Sequence, residues 1–584
     1  MPGTAYPKEP MYRHAFTKLS PDQILARLGP AARAGPSSAS PISDALAGKT
    51  IRIATDNGPK LTYKFASPDR LSLTENGGRA IQAGYGALTL DTIVLLAHLI
   101  PGTQRGFAVA IDRATNLTTV VELWFSGYRD NREVQREIWY GYVEQPGQDA
   151  PAARHGTTNR IEGKGFFWKQ DAGPETLEFY PSAAYSHFVE LSRQGGEFGY
   201  CAPSDYIRIS DELYLYARTE CEFSGTFTLY VMDLNRVEQI GLRLGFDPHD
   251  ALEYYLFRGT GEWLGQIAQF EKFGDVAGNP VPRPSPDKGS RRVYRPLQTM
   301  PKMTRAEVDA AVAKNSRVFV NRTTAGNGAA GMATNGAAPS DRLAGKAITL
   351  RYDDGPALDY RFADAETLHW RFAGDGPWTK ARYRAWEAAP AAFIFGHLLE
   401  GTPNHDGHMV VVDFDQGLAT CFNGTLNTPY FANEAAAKTW FGVIEADGIV
   451  PPRRRRHHFT DDLVGSAITW NYAPGLTSMH LYSTPNTVSW IIFTESGAGG
   501  MEWSGPGAFV KIRDGLYFAY WLEDACNGTL GTITINLRTM HDAGVGYHCG
   551  TEGLNMSQIG AHARHAGKFD ILKYYQPKTK KDEA

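Results

Sequence analysis

Gly48-Lys-Thr-Ile-Arg-Ile53 with Asn57-Gly-Pro-Lys-Leu-Thr-Tyr-Lys-Phe65 aligns without a gap on Gly345-Lys-Ala-Ile-Thr-Leu350 with Asp354-Gly-Pro-Ala-Leu-Asp-Tyr-Arg-Phe362. Each stretch alternates apolar and polar residues, breaks at a Gly-Pro turn and alternates again, which predicts two half-buried antiparallel strands. The phrase that opens them occurs four times, as Leu46-Ala-Gly-Lys, Ile161-Glu-Gly-Lys, Leu343-Ala-Gly-Lys and Leu463-Val-Gly-Ser. Self-similarity on this scale marks a repeat architecture.

The likeness extends well beyond the opening phrase. With an offset of about 300 positions, Trp139 falls on Trp440, Gly163 on Gly465 and Trp168 on Trp470. Leu213-Tyr-Leu-Tyr-Ala-Arg-Thr-Glu220 falls on Leu516-Tyr-Phe-Ala-Tyr-Trp-Leu-Glu523, and Gly225 on Gly528. The chain is therefore a duplicated pair of units. Each unit has roughly 110 residues with turn residues about every ten, which suits an up-and-down barrel whose closure removes exposed edges. The expected fold is all-β, with four lipocalin-like (calycin) antiparallel β-barrels in two tandem pairs. The expected divisions are an N-terminal extension 1–41, barrel 1 at 42–150, barrel 2 at 151–275, a linker 276–339, barrel 3 at 340–450 and barrel 4 at 451–576.

The linker holds Pro280, Pro282, Pro284 and Pro286 among Gly, Ala and Asn, with few large apolar residues. Within it, 304–316 predicts a short helix capped by Thr304, with Glu307 completing a capping box. A second short helix is expected after Ser20-Pro21.

Of the 584 residues, 12% are aromatic, mainly Tyr and Phe, as pleated faces favour. The net charge of −4 argues against a nucleic-acid partner. The five cysteines (Cys201, Cys221, Cys421, Cys526 and Cys549) are scattered and contain no CxxC pair, so neither a disulfide framework nor a metal knuckle is indicated. The polar start and the absence of a long apolar run suggest no signal peptide or membrane span, and hence a cytoplasmic protein.

The strand ending in Glu220 carries Tyr214, Tyr216, Arg218 and Glu220 on one face, and Leu213, Leu215, Ala217 and Thr219 on the other. Its counterpart carries Tyr517, Ala519, Trp521 and Glu523 against Leu516, Phe518, Tyr520 and Leu522. Turned inward, the mixed faces would line an aromatic pocket with a few polar groups. Turned outward, they would be ordinary solvated faces. In units one and three, His98 and His397 stand where Arg218 stands; a hydrogen-bonded core histidine is the plainer reading of each. His405 and His408 flank Asp406-Gly407 and read as a hairpin turn. Arg453, Arg454, Arg455 and Arg456 read as a solvated loop.

Leu343-Ala-Gly-Lys with Tyr352-Asp-Asp-Gly and Asp359-Tyr-Arg-Phe resembles the molybdenum-cofactor-biosynthesis protein F (MoaF) family, as does Thr460-Asp-Asp-Leu-Val-Gly with Met479-His-Leu-Tyr. The resemblance implies paired N-terminal and C-terminal calycin barrels, present here twice, with the second half the closer match. The units also look like phenolic acid decarboxylases, single-barrel lyases with a Tyr-x-Tyr-x-x-Gly strand, an arginine and a glutamate. Trp470-Asn-Tyr472-Ala-Pro-Gly475 and Glu523 fit that pattern in part, and no arginine stands near Gly500-Met501-Glu502-Trp503. In unit two, Trp168 and Gln170 replace the tyrosines while Glu220 is kept. Unit three keeps Tyr352.

These resemblances imply a cofactor-independent carbon–carbon lyase on a small phenolic compound. Glu523, Glu220, Tyr472 and His480 would move protons. Trp470, Tyr482, Trp521, Tyr517, Tyr214, Tyr216, Arg218, Trp168, His397, His98 and Tyr352 would hold the ligand, and no metal would be needed. The alternatives are a non-catalytic small-ligand barrel and an accessory protein of molybdenum cofactor metabolism. A homodimer is left open.

Overall fold

The computed structural model describes residues 17–575 apart from 127–130, 183–184, 192–198, 221–223, 270–301, 320–331, 334, 375, 474–475, 493–501 and 525–526. Cys221, Cys526, Gly475, Gly500, Met501 and the linker prolines Pro280 to Pro286 lie outside the described residues.

Four eight-stranded antiparallel barrels follow one another at 50–143, 164–266, 347–445 and 466–568. In barrels 1 and 3 each strand pairs with the next, and the eighth closes on the first. Barrel 2 closes through one long last strand, Leu252–Gln266, which pairs with both the first and the seventh strands. In barrel 4 that strand is broken in two: Gly553–Ile559 pairs with the seventh strand and His562–Lys568 with the first.

The opening phrase has the same structural job four times. Gly48, Gly163, Gly345 and Gly465 all have φ between +74° and +88°, a backbone region that residues with a Cβ avoid. Each donates its N–H to the same place in the second strand: to the carbonyls of Phe65, Tyr180, Phe362 and Tyr482, at 2.9, 2.7, 2.7 and 2.7 Å. This turn drives the preceding Leu46, Ile161, Leu343 or Leu463 into the barrel's own interior cluster.

The fifth strands, Leu213–Thr219 and Leu516–Glu523, are buried on both faces for different reasons. Leu213, Leu215 and Ala217 join Leu95, Ala97 and Val121 of barrel 1 in one cluster. Leu516, Phe518, Tyr520 and Leu522 likewise pack on barrel 3, where Phe518 stacks on Phe422 at 4.0 Å. The purely apolar faces are thus seams between barrels, and the mixed faces point inward.

A capped helix seals each seam. Pro21–Ala34 is capped by Ser20 with Gln23, and Arg305–Lys314 by Thr304 with Glu307; both are complete capping boxes. Ile24, Leu28 and Ala32 enter the first seam and Val308 the second. After each helix a short strand adds in parallel to the far barrel of its own half: Ser37–Ser38 beside Tyr255 and Leu256, and Ser316–Val318 beside Leu554 to Met556. The described parts of the expected extension and linker therefore belong to the duplicated unit, since their few apolar residues fill the seams.

The halves meet through barrels 2 and 4. Leu177, Phe179 and Val189 pack with Met479, Leu481, Ile491 and Phe569, the last with its ring 4.7 Å from that of Phe179. The order in space is barrel 1, 2, 4, 3. Among the described residues no helix is long and apolar enough to cross a membrane.

Candidate functional site

One pair of interior positions recurs in all four barrels. The second strand presents Tyr63, Glu178, Tyr360 or His480, each opposite the equivalent residue of the first strand (Ile51, Phe166, Ile348, Ile468). The fifth strand presents His98, Arg218, His397 or Trp521. The two positions meet every time: Tyr63 OH is 3.1 Å from His98 Nε2, Arg218 Nη1 is 2.7 Å from Glu178 Oε1, and Tyr360 OH is 3.3 Å from His397 Nε2. In barrel 4 the rings of His480 and Trp521 meet edge to face at 5.6 Å.

In barrels 1 and 3 the pair is a neutral core hydrogen bond. Burial lowers His98 and His397 to about 4. Tyr360 is also 3.2 Å from His408 Nδ1. His408 is thus an interior strand residue and not part of a turn: the turn ends at Asp406, and the strand Gly407–Asp413 turns His408 inward. Trp440 and Tyr352 complete this wall, with ring centres 5.6 Å apart.

In barrel 2 the interior is closed by charge and stacking. Tyr206, Tyr216 and Tyr230 form a ladder across three strands, with ring centres 5.4 and 4.9 Å apart. Trp168 and Tyr214 are buried in the same cluster. Arg218 grips both oxygens of Glu178 and lies 3.5 Å over the Phe188 ring. Glu220 pairs with Arg243 at 2.9 Å, and Arg243 with Glu253 at 2.8 Å. Burial alone would raise the pKa of Glu220, but Arg243 and Arg218 outweigh it and hold the carboxyl below its ordinary value.

Barrel 4 has the same geometry with the arginines removed. Trp521 stands for Arg218, and Gly546 for Arg243, as the strand registers show. Glu523 keeps its place, half-buried at the barrel end, accepting from Trp521 Nε1 at 2.9 Å and from Asn527 Nδ2 at 2.5 Å. Without a cation, burial raises its pKa. Gly531 makes room for the Trp521 indole, since a Cβ there would sit 2.3 Å from the ring. Trp470, Tyr472, Tyr482 and Tyr517 share this aromatic interior with Trp490 and Trp503.

Tyr472 OH is 3.4 Å from His480 Nε2. Burial lowers His480 to about 3, so the imidazole is neutral, and its Nδ1 has no hydrogen-bond partner among the described residues. Asp542, on the inward face of the seventh strand, is raised to about 8 by burial, partly offset by the Ala561 N–H it accepts. Its Oδ2 also lacks a partner among the described residues.

Sequence reasoning reached Glu523, Tyr472, His480 and the surrounding aromatics, and these do come together. It missed Glu178 and Asp542. Counting from the repeated glycine would have set Glu178 on His480; nothing local marks Asp542. The arginine run lies by a cleft of about 520 Å³ between barrels 3 and 4, where Arg456 pairs with Asp353 at 2.7 Å.

Eight-stranded barrels with an aromatic interior and one or two polar pairs define a tandem calycin-type protein. Residues 323–428 match the MoaF N-terminal domain and residues 457–569 the MoaF C-terminal domain. The second half of the chain therefore carries both MoaF domains, and the first half repeats the two-barrel design. No curated protein matches the chain.

Proposed function

We propose that barrel 4 carries cofactor-independent acid–base chemistry on a small phenolic compound, as a carbon–carbon lyase. The reading rests on one contrast: Glu220 is held by Arg243 while Glu523, its counterpart, has no cation and a raised pKa. A raised pKa lets a carboxyl keep its proton at higher pH than usual, which suits it to act as a general acid.

Tyr472 and the neutral His480 hold the phenol oxygen by hydrogen bonds, and its proton passes to water, since an imidazole lowered to about 3 is too weak a base to keep it. Trp470, Trp521 and Tyr482 sandwich the ring. As the phenol proton leaves, Glu523 delivers its own proton to the side-chain carbon of the ligand, giving a quinone methide. Breaking the carbon–carbon bond releases carbon dioxide from a carboxylate, or formaldehyde from a hydroxymethyl group whose hydroxyl proton passes to water, and the electron pair restores the aromatic ring. The phenol oxygen then recovers its proton and Glu523 is reprotonated from water. Barrel 2 is read as structural.

The test combines a ligand screen with one variant. Phenolic acids and phenylpropanoids should raise the melting temperature, by mass action on the folded state. Glu523→Gln should retain the fold and binding and lower turnover by about 10²–10⁴-fold. Unchanged turnover in that variant removes Glu523 from the chemistry. Ligand stabilisation without turnover supports instead a binding barrel.

A further inference from the structure

Where barrel 2 meets barrel 4, three side chains of different chemistry converge outside both barrel interiors. His187 and Cys201 come from neighbouring strands of barrel 2, opposite one another in register, and Glu502 comes from barrel 4. One ligand atom from each lies within 4.8 Å of the others. His187 Nδ1 is 3.4 Å from Cys201 Sγ. Two ligands of one tetrahedral zinc, at bond lengths of about 2.0–2.3 Å, stand roughly 3.5 Å apart.

The surroundings favour a ligand over a chance cluster. His187 Nε2 is 2.6 Å from Ser483 Oγ, which fixes the ring and aims Nδ1 at the thiol. Gly199 leaves the space the ring needs, since a Cβ there would lie 2.4 Å from it. Glu502 is 6% exposed, and beyond the Cys201 thiol beside it neither carboxylate oxygen has a hydrogen-bond partner among the described residues. A buried carboxyl in that position lacks compensation.

We infer that His187, Cys201 and Glu502 form a binding site for one thiophilic divalent metal ion, zinc above all, that clasps the two halves of the chain. One imidazole nitrogen, one thiolate and one carboxylate suit zinc and disfavour magnesium or calcium. Binding expels the thiol and carboxyl protons, so a dication meets two anions and the buried cluster becomes neutral.

The duplication argues the same way. Strand register places Ser489 where His187 stands, Ser504 where Cys201 stands, and Gly199 where Glu502 stands. The mirror position across the interface therefore carries no comparable ligands, and the chain should bind one ion and not two.

Full-length protein stripped with chelator and titrated with cobalt(II) tests this. The inference expects one cobalt per chain, a thiolate-to-cobalt charge-transfer absorption, its loss on adding zinc, and tighter binding as pH rises. Cys201→Ser should abolish the absorption, and Ser483→Ala, which keeps all three ligands, should weaken binding by about 10–100-fold. Zinc should raise the melting temperature of the parent protein and not of Cys201→Ser. No charge-transfer absorption in the parent, or one that persists in Cys201→Ser, overturns the site. Neither result touches the barrel 4 chemistry.

Discussion

At the scale of the residue, the decisive differences are single substitutions in a shared frame. Glu220 and Glu523 hold the same place in their barrels, but Arg218 and Arg243 stand beside the first, and Trp521 and Gly546 beside the second, so one is an ion-paired carboxylate and the other has no cation beside it and a raised pKa. Arg243 and Gly546 lie two strands away, so this part of the difference is not legible in the strands that carry the glutamates. Glu178→Ala should destabilise the protein by about 3–5 kcal/mol in urea unfolding, because Arg218 is left buried with only Glu220, 4.0 Å away and already held by Arg243. Replacing both, Glu178→Leu with Arg218→Met, should recover most of the loss. Asp542 makes a prediction in pH. Its folded pKa of about 8 lies above an unfolded value of about 3.9, so between those values the folded state binds more protons than the unfolded state. Its contribution is therefore fully present in acid and lost as pH rises through that window. Asp542→Asn should melt at a temperature less sensitive to pH between 5 and 8.5 than the parent, as calorimetry at both values would show.

At the scale of the element, alternation was legible but its direction was not. The pattern of Leu213 to Thr219 shows two kinds of face, and either could have met water. The second barrel decides it, because the apolar face needs a partner and barrel 1 supplies one. Both helices were legible for a different reason: a capping box is a local device, complete within four residues. Their destination was not legible, since Ile24 and Leu28 find their partners in strands far along the chain. Leu28→Ala should open a void at the seam and reduce stability by about 2–5 kcal/mol, read by denaturant unfolding. Ser20→Ala should lower it by only about 1 kcal/mol, as befits an exposed cap.

At the scale of the whole molecule, the fourfold repeat and the pairing of barrels were readable because the turn glycine and its flanking residues recur in register. The spatial order 1-2-4-3 was not, because the contacts between halves come from outward residues such as Phe179 and Leu481 that look like any other strand position. Leu481→Asp should bury a charge against Leu177 and Phe179 and part the halves. X-ray scattering should then report a larger radius of gyration, and thermal unfolding should split into two transitions. An unaltered single transition with an unaltered radius would mean that this interface does not hold the halves together.

The short strand after the first helix has a consequence for synthesis. Ser37 pairs with Tyr255, so this segment, made about two hundred residues earlier, must wait for the last strand of barrel 2. At about 5–20 residues per second that delay lasts on the order of ten to forty seconds. Barrel 1 can close in that interval, but the helix and strand before it cannot reach their final partners until barrel 2 is finished. The second half repeats the pattern, with Ser316 waiting for Leu554. Each half is thus latched only on completion, so a chain stalled midway through a half carries an unlatched leader that a protease or chaperone can distinguish from the finished fold.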